Sequence, residues 1–128
     1  MREILFRGKR VDNGEWIYGS YHKPFEDVEQ IVEKTKTNAS QMSLVVFGSC
    51  GQYTGLTDKN GNKIFEADVV RINEAERNYV IKFHKGCFKL FHADPKLNDM
   101  LWGTIERVSE LLWSIEIIGD IHEKEVLK

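Results

Sequence analysis

The chain is poor in the residues that build cross-linked or membrane-spanning proteins. Its 128 residues include two prolines and two cysteines, Cys50 and Cys87. Two thiols are too few for a disulfide scaffold, and the N-terminus, charged from Arg2 onward, lacks the features of a secretory signal. No apolar run approaches the roughly 20 residues that cross a bilayer. We therefore expect a cytoplasmic protein with reduced thiols and no membrane partner.

Net charge is almost absent as well. The sequence has 18 basic and 20 acidic residues, a formal net charge of −2. No global basic field therefore attracts the chain to nucleic acid or to an anionic membrane. With 41% apolar residues, a chain of this length can bury one real core. We predict a single domain that spans residues 1–128.

A strong turn signal lies near the middle of the chain. Asp and Asn bond their own backbone and Gly adopts positive φ without steric cost, so residues 58–62, DKNGN, should reverse the chain. The flanking residues 52–56 and 63–66 favour strands, and a further strand is predicted over 68–73. We interpret this stretch as a hairpin tip followed by a strand with one buried face.

A calcium loop is the functional alternative for this turn. Aligning Gly61 with the obligatory glycine of such a loop places Leu56 at the first ligand position. The twelfth position, which requires a bidentate glutamate, would then be Ala67. Two main ligands are missing, and we favour the turn.

Further strands are predicted where apolar and polar residues alternate. They cover residues 2–7, 15–21, 28–33, 43–47, 78–84, 87–92 and 113–119. Pro24 should break the pattern, and a helix is the alternative for residues 28–33. Short helices are predicted within residues 93–103, where Asp94 precedes Pro95, and from Thr104 to Leu112, where apolar residues recur at helical spacing.

Together these elements predict a mainly β fold. We expect a small bent antiparallel sheet or an open SH3-like barrel of hairpins, with one or two short helices. Residues 64–91, with three strands, a charged link and a glycine turn, are typical of such a barrel. The polar residues 34–41 should form an exposed loop.

One cluster has the residue types of a metal site. His84 and Cys87 are followed by His92, and a fourth zinc ligand would have to come from Cys50 or His122. No second pair of closely spaced ligands supports the site. We favour a small apolar cysteine beside two solvent-facing histidines.

Two other segments imitate catalytic motifs. Residues 48–51, GSCG, resemble a nucleophile turn or an anion-binding loop, but no base, oxyanion hole or phosphate-binding lysine accompanies them. Residues 119–122, GDIH, imitate the opening of binuclear metallophosphoesterases, yet six residues follow, too few for the remaining ligands. We therefore predict no catalytic residue, no metal and no cofactor, and we do not expect an enzyme.

The predicted hairpin over residues 78–92 combines basic and aromatic side chains. Its lysines are Lys82, Lys85 and Lys89, and phenylalanines lie between them. Such a surface binds single-stranded nucleic acid only if the rings are exposed for stacking. Alternation predicts instead that the rings point into the core.

Several motifs resemble one known family, in order along the whole chain. They are residues 2–7 (REILFR), 53–56 (YTGL), 58–61 (DKNG), 63–66 (KIFE), 68–70 (DVV) and 117–123 (IIGDIHE). These resemble the signature of the YopX-like family, small proteins encoded by bacteriophages and prophages. The chain departs from it at Ala67, usually Gly, at Asp120, usually Asn, and in lacking a proline after Glu123. Because alanine disfavours positive φ, Ala67 argues against a role that requires positive φ before Asp68.

The resemblance implies a phage or prophage protein in the cytoplasm of a bacterial host, without implying a particular activity. We predict a non-catalytic binding or self-assembly module. A homo-oligomer is expected because exposed strand edges need covering, and a phage or host protein is a further candidate partner. The alternative is a nucleic-acid-binding accessory protein that uses Lys82, Lys85 and Lys89.

Overall fold

The computed structural model describes residues 4–34, 40–73, 78–94, 101–105 and 114–121. Most of these residues lie in strands, and the strands pair in antiparallel fashion within two sheets. The strands are β1 (Phe6–Lys9), β2 (Trp16–Phe25), β3 (Val28–Lys34), β4 (Ser40–Val45), β5 (Gly51–Thr57), β6 (Lys63–Phe65), β7 (Asp68–Ile72), β8 (Asn78–His84), β9 (Cys87–His92), β10 (Leu101–Thr104) and β11 (Ile115–Asp120). The predicted mainly β fold is confirmed. Within the described ranges no helix is long and apolar enough to cross a membrane.

The chain divides into two compact units, residues 1–55 and residues 56–128. Each has its own cluster of buried apolar side chains. The single domain expected over residues 1–128 stays a prediction. Strand β5 begins in the first unit and continues into the second.

The first unit is a curled antiparallel sheet in the order β4-β3-β2-β1-β5. After β4 the chain returns to the end of β1, where the Val46 N–H donates to the Lys9 carbonyl at 2.7 Å. The curl encloses a core of Ile17, Ile31 and Val45. Gly19 permits the tight curvature, since a Cβ there would lie 2.2 Å from the Val32 carbonyl oxygen.

The second unit contains an antiparallel sheet in the order β10-β9-β8-β7-β11. Strands β7, β8, β9 and β10 follow one another as neighbours, and β11 closes the other edge beside β7. One face carries the core of this unit. Its buried members are Ile64, Val70, Ile72, Tyr79, Ile81, Phe88, Leu90, Ile105 and Ile115.

Strands β8 and β9 have the predicted bounds. Strands β1 (Phe6–Lys9) and β4 (Ser40–Val45) overlap the strands predicted over residues 2–7 and 43–47 only in part. Residues 28–33 form a strand rather than a helix. The break predicted at Pro24 is wrong, because β2 runs on to Phe25. The register of β2 with β3 shifts between His22 and Phe25, so the missing proline N–H falls where the ladder is already irregular.

The helix predicted within residues 93–103 is wrong at its C-terminal end. Residues 101–104 form β10, and Leu101 pairs with Phe91 across the ladder. Edge pairing with β9 has overridden the local helical signal here. Residues 95–100 and 106–113, where the remaining helical predictions fall, lie outside the described residues, as do 35–39 of the predicted polar loop. Residues 40 and 41 of that loop belong to β4 instead.

The carboxylate of Asp58 organises the predicted hairpin tip. Its Oδ1 accepts the N–H groups of Asn60 at 3.0 Å and Asn62 at 2.9 Å, and its Oδ2 accepts the N–H of Ile117 at 3.1 Å. The residue as a whole is 6% exposed. Burial acts to raise its pKa, but the N–H donors of Asn62, Ile117 and Asn60 together hold the pKa below its usual value. Hydrogen bonds to Asp58 therefore stabilise the turn at the tip and also connect the tip to β11.

The turn between β6 and β7 places Ala67 at φ +77°. The inference that this position does not require positive φ is therefore wrong. The Ala67 N–H donates to the Ile81 carbonyl at 2.8 Å, and its carbonyl accepts the Ile121 N–H at 3.0 Å. Asp68 Oδ2 also accepts the Phe65 N–H at 2.7 Å. These long-range bonds hold an alanine in a conformation that favours glycine.

Replacing Ala67 with glycine should therefore stabilise the protein. Relief of the left-handed strain, less the added entropy of the unfolded chain, should raise the free energy of unfolding by about 0.5–1 kcal/mol. Urea denaturation followed by circular dichroism measures the change. Ala93→Gly is the matched control, because Ala93 is not among the positive-φ residues, and it should destabilise the protein. A loss of stability in both variants would contradict the prediction.

Asp58→Asn should destabilise the protein at neutral pH. An amide offers one acceptor oxygen in place of two, so N–H groups of the turn or of Ile117 would face an NH₂ group, at a cost of about 1–3 kcal/mol. Because the folded pKa is lowered, the carboxylate stabilises above its unfolded pKa of about 3.9, and this stabilisation disappears as pH falls through the folded pKa.

The stability gap between wild type and Asp58→Asn, measured by urea denaturation, should therefore narrow between pH 7 and pH 3. Asp12→Asn is the control, since the Asp12 side chain is 63% exposed in its pair with Arg10. That change should alter stability by less than about 0.5 kcal/mol. A gap for Asp58→Asn that is the same at both pH values would be inconsistent with a lowered pKa.

Candidate functional site

Strand β4 has an open edge over its first half. The Leu44 carbonyl accepts the Val11 N–H at 3.1 Å, so the outer side of Leu44 is occupied. In an antiparallel ladder the N–H and C=O of one residue point to the same edge, and alternate residues share that edge. Ser40 and Met42 therefore direct their backbone groups outward as Leu44 does. No described residue pairs with this outer edge before Leu44.

Apolar side chains surround this open edge. Met42 and Leu44 are each 55% exposed, and Val11, on the neighbouring segment, is 62% exposed. Between them Ser43 is buried, and Val45 belongs to the core. Since large apolar side chains that are exposed together mark interaction surfaces, we define residues 40–44 and Val11 as the β4 edge surface.

A groove of about 390 Å³ runs along this surface, lined by residues 10–12 and 41–44. At its rim Arg10 and Asp12 form a two-bond pair, with Nε to Oδ1 at 3.0 Å and Nη2 to Oδ2 at 2.7 Å. The pair cancels the charge beside the groove, and β4 itself contains no charged residue. The site therefore fits an extended, uncharged strand better than a charged ligand.

The β4 edge surface was not predicted from the sequence. Apolar side chains lie on both faces of residues 42–47, with Met42 and Leu44 on one face and Val45 on the other, so alternation does not decide which face is buried. The structure buries Ser43 and Val45 and leaves Met42 and Leu44 exposed. Curling of β4 onto the segment after β1 determines which face points inward. The signal available in the sequence was an apolar strand without a charged residue to protect its edge.

The segment that imitates a nucleophile turn is held by polar contacts. The Ser49 hydroxyl donates to the Val46 carbonyl at 2.6 Å and accepts the Lys9 N–H at 3.0 Å. Burial and the nearby charge of Glu29 raise the pKa of Cys50 to about 12. Since the thiolate is the reactive form of cysteine, Cys50 is a poor nucleophile at neutral pH.

Glu29 holds this segment from the neighbouring strand β3. Its Oε1 accepts the Gly48 N–H at 2.7 Å and its Oε2 accepts the Tyr21 hydroxyl at 2.6 Å. The hydrogen bond to Glu29, followed by burial and the charge of Glu29, raises the pKa of Tyr21 to about 12. With pKa values raised to about 12, the Tyr21 hydroxyl and the Cys50 thiol keep their protons at neutral pH, and the hydrogen bonds of Glu29 hold the backbone at Gly48 in place.

The predicted lysine site is brought together in part. Lys82 and Lys89 lie directly opposite each other in the β8–β9 ladder, while Lys85 occupies the turn at φ +49°. The Lys89 Nζ is 3.3 Å from the Nδ1 of His84, which lies two residues from Lys82 and so on the same face. This face therefore concentrates positive charge near the end of the hairpin.

The phenylalanines of this hairpin divide between the core and the surface. Phe88 and Phe91 are buried, as expected, but Phe83 is 51% exposed and the prediction of a core position for it is wrong. Phe83 pairs with Phe88 in the last but one residue pair of the ladder before the turn, beyond most of the core. The two rings pack edge-on, with their centroids 5.0 Å apart. The Phe83 ring lies on the face opposite Lys82, so lysines and exposed ring do not form one stacking platform.

The metal-like residues are not gathered in one place. His84 and Cys87 are directly opposite on one face of the hairpin, whereas His92 pairs with Tyr79 on the other face, with ring centroids 4.9 Å apart. His84 faces solvent as expected, while His92 is half-buried. Among the described residues, no three His, Cys, Asp or Glu side chains could hold a metal together. His122 lies outside those residues.

Asp120, from the segment that imitates a metallophosphoesterase, lies opposite Asp68 in the β7–β11 ladder. Both carboxylates are buried. Asp68 Oδ2 is engaged by the Phe65 N–H, so this carboxylate supports the turn that contains Ala67. Asp120 is thus a paired residue of strand β11 in the second unit.

Comparisons with known proteins identify a family for this chain and a solved structure with a similar fold. No curated protein matches the chain. The crystal structure of protein EF1440 from Enterococcus faecalis is similar, with a TM-score of 0.54, 19% sequence identity and coverage of 100% of both chains. At this identity the likeness shows the fold alone. The family model described as YopX protein matches residues 5–127, so the family resemblance predicted from the motifs is confirmed. The chain belongs to the YopX protein family.

Proposed function

We propose that this protein is a non-catalytic binding module that associates with further copies of itself, and that the β4 edge surface is its contact surface. The observation that carries the proposal is the open edge of β4, flanked by Met42 and Leu44 at 55% exposure. Outward backbone groups pair readily with another strand, and apolar side chains beside them gain by burial.

The absence of charge from β4 supports the same proposal. Small β proteins commonly protect an open edge with lysine, proline or a bulge. Strand β4, with the sequence SQMSLV, has none of these residues, in a chain of which 30% is charged. An edge of this composition is suited to contact rather than to repulsion.

The groups that imitate catalytic motifs support a non-enzymatic function. The Ser49 hydroxyl is engaged in backbone hydrogen bonds, and the pKa of the Cys50 thiol is raised to about 12. Neither group has an arrangement that would activate it as a nucleophile.

We further propose that the module acts in the cytoplasm of a bacterial host as the product of a phage or prophage gene. The resemblance of its motifs to phage-encoded proteins supports this origin. A phage or host protein is a second candidate for the β4 edge surface, and no membrane partner is proposed.

Light scattering tests self-association through the solution mass. Wild-type protein should have a stable multiple of 14.9 kDa. Salt should change this mass little, because ions screen interactions between charges and β4 contains no charged residue. The double variant Met42→Lys/Leu44→Lys should shift to the monomer mass. Phe25→Lys, at a side chain that is 69% exposed elsewhere in the unit, is the control and should keep the wild-type mass. A wild-type monomer at high concentration would refute self-association.

The second candidate function is nucleic-acid binding by Lys82, Lys85 and Lys89. The observation that favours it is the position of Lys82 directly opposite Lys89, because like charges opposite each other in a ladder repel and a bound phosphate would relieve the repulsion.

Fluorescence anisotropy with a labelled single-stranded oligonucleotide tests this candidate. Affinity should fall steeply as salt increases, and replacing the three lysines with alanine should abolish the salt-dependent binding. Lys23→Ala, an exposed lysine of the first unit, should leave the binding unchanged. Equal binding by the triple variant and wild type would exclude this surface.

A further inference from the structure

We propose that the partner on the β4 edge surface is the same strand of a second copy, antiparallel to the first, with the two-fold axis at Gln41. This inference rests on the proposed self-association and specifies its geometry. It rests on the hydrogen-bonding state of the outward backbone groups of β4 and on the side chains beside them.

The occupied carbonyl of Leu44 limits the possible registers. If Met42 lay on the axis, it would pair with its own copy and Ser40 would pair with Leu44 of the partner copy. The Leu44 carbonyl, however, already accepts the Val11 N–H at 3.1 Å. Pairing around Met42 would therefore compete with the contact that curls the sheet of the first unit.

An axis at Gln41 avoids this competition. Ser40 then lies opposite Met42 of the second copy, and Met42 lies opposite the second Ser40. Both residues direct N–H and C=O outward, so each pair exchanges both of its backbone hydrogen bonds. The ladder uses residues 40–42 and leaves Leu44 with Val11. Gln41, whose own backbone groups face β3, occupies the non-hydrogen-bonded position on the axis.

The side chains of this stretch are compatible with their own copies. Gln41 is exposed and uncharged, and an amide both donates and accepts, so two such side chains can bond each other. A two-fold axis perpendicular to the sheet also keeps the two Met42 side chains on the same face of the joined sheet. The exposed apolar face of one copy, with Met42 and Leu44, thereby continues into that of the other.

Charge favours a second copy over a charged strand of another protein. No charged residue lies within residues 40–45, so antiparallel pairing brings no like charges together. At the rim, Arg10 and Asp12 neutralise each other in an ion pair, with Nη2 2.7 Å from Oδ2. An isologous contact of this kind closes after two copies and leaves the edges covered.

Directed disulfide formation tests the register. In a background with Cys50→Ser and Cys87→Ser, Gln41→Cys would place two thiols on the axis with Cα atoms about 4.5–5.5 Å apart, within disulfide range. Oxidised glutathione should then convert most of the protein to a covalent dimer on a non-reducing gel. Leu44→Cys is the matched control on the same strand, since its copies would be about 20 Å apart and should not cross-link.

The outcomes separate the register from the proposed function. A dimer from Gln41→Cys and none from Leu44→Cys supports the register. Cross-linking of Leu44→Cys, alone or equally, overturns it. A multimeric wild type with neither variant cross-linked overturns this inference and leaves self-association standing. A monomeric wild type overturns both, and the edge would then be open to a strand of a different protein.

Discussion

The hairpin of the second unit depends on the hydrogen bonds that the buried carboxylate of Asp58 accepts. Its two oxygens hold the N–H groups of Asn60 and Asn62 in the turn and the N–H of Ile117 in β11. Asp58 thus stabilises the turn and fixes β11, a strand some sixty residues further along the chain, to that turn. The Lys59 N–H reinforces the junction by donating to the Ile115 carbonyl at 2.9 Å. Where the chain reverses, backbone N–H groups have no partner in a strand ladder, and the side-chain oxygens of Asp58 accept their hydrogen bonds instead.

Curvature in the first unit gives the two halves of β4 different surroundings. Because β4 bends back to the segment after β1, its second half gains backbone partners, whereas no described residue pairs with the outer edge of its first half. The same bend buries Ser43 and Val45 and exposes Met42 and Leu44. An exposed apolar face therefore lies beside backbone groups that have no partner among the described residues.

Local patterns predicted the elements whose two faces differ clearly. Strands β8 and β9 were predicted with their observed bounds because apolar and polar residues alternate around the Lys85-Gly86 turn. The position of β10 and the φ of Ala67 were not predictable in this way. Leu101 pairs with Phe91, and Ala67 bonds Ile81 and Ile121. These partners are distant in sequence, so no local pattern records them.

The sequence by itself determined the mainly β class, the turn at Asp58 and the family, because turn chemistry, alternation and motif order are local properties of the chain. Only the tertiary structure decided which face of β4 is buried and which edge stays open. Apolar residues occur on both sides of that strand, so alternation leaves two solutions. The hydrogen bond from Val11 to Leu44 and the core around Val45 select one of them. The candidate site exists because these long-range contacts bury the face of β4 that carries Val45 and leave the face with Met42 and Leu44 exposed to solvent.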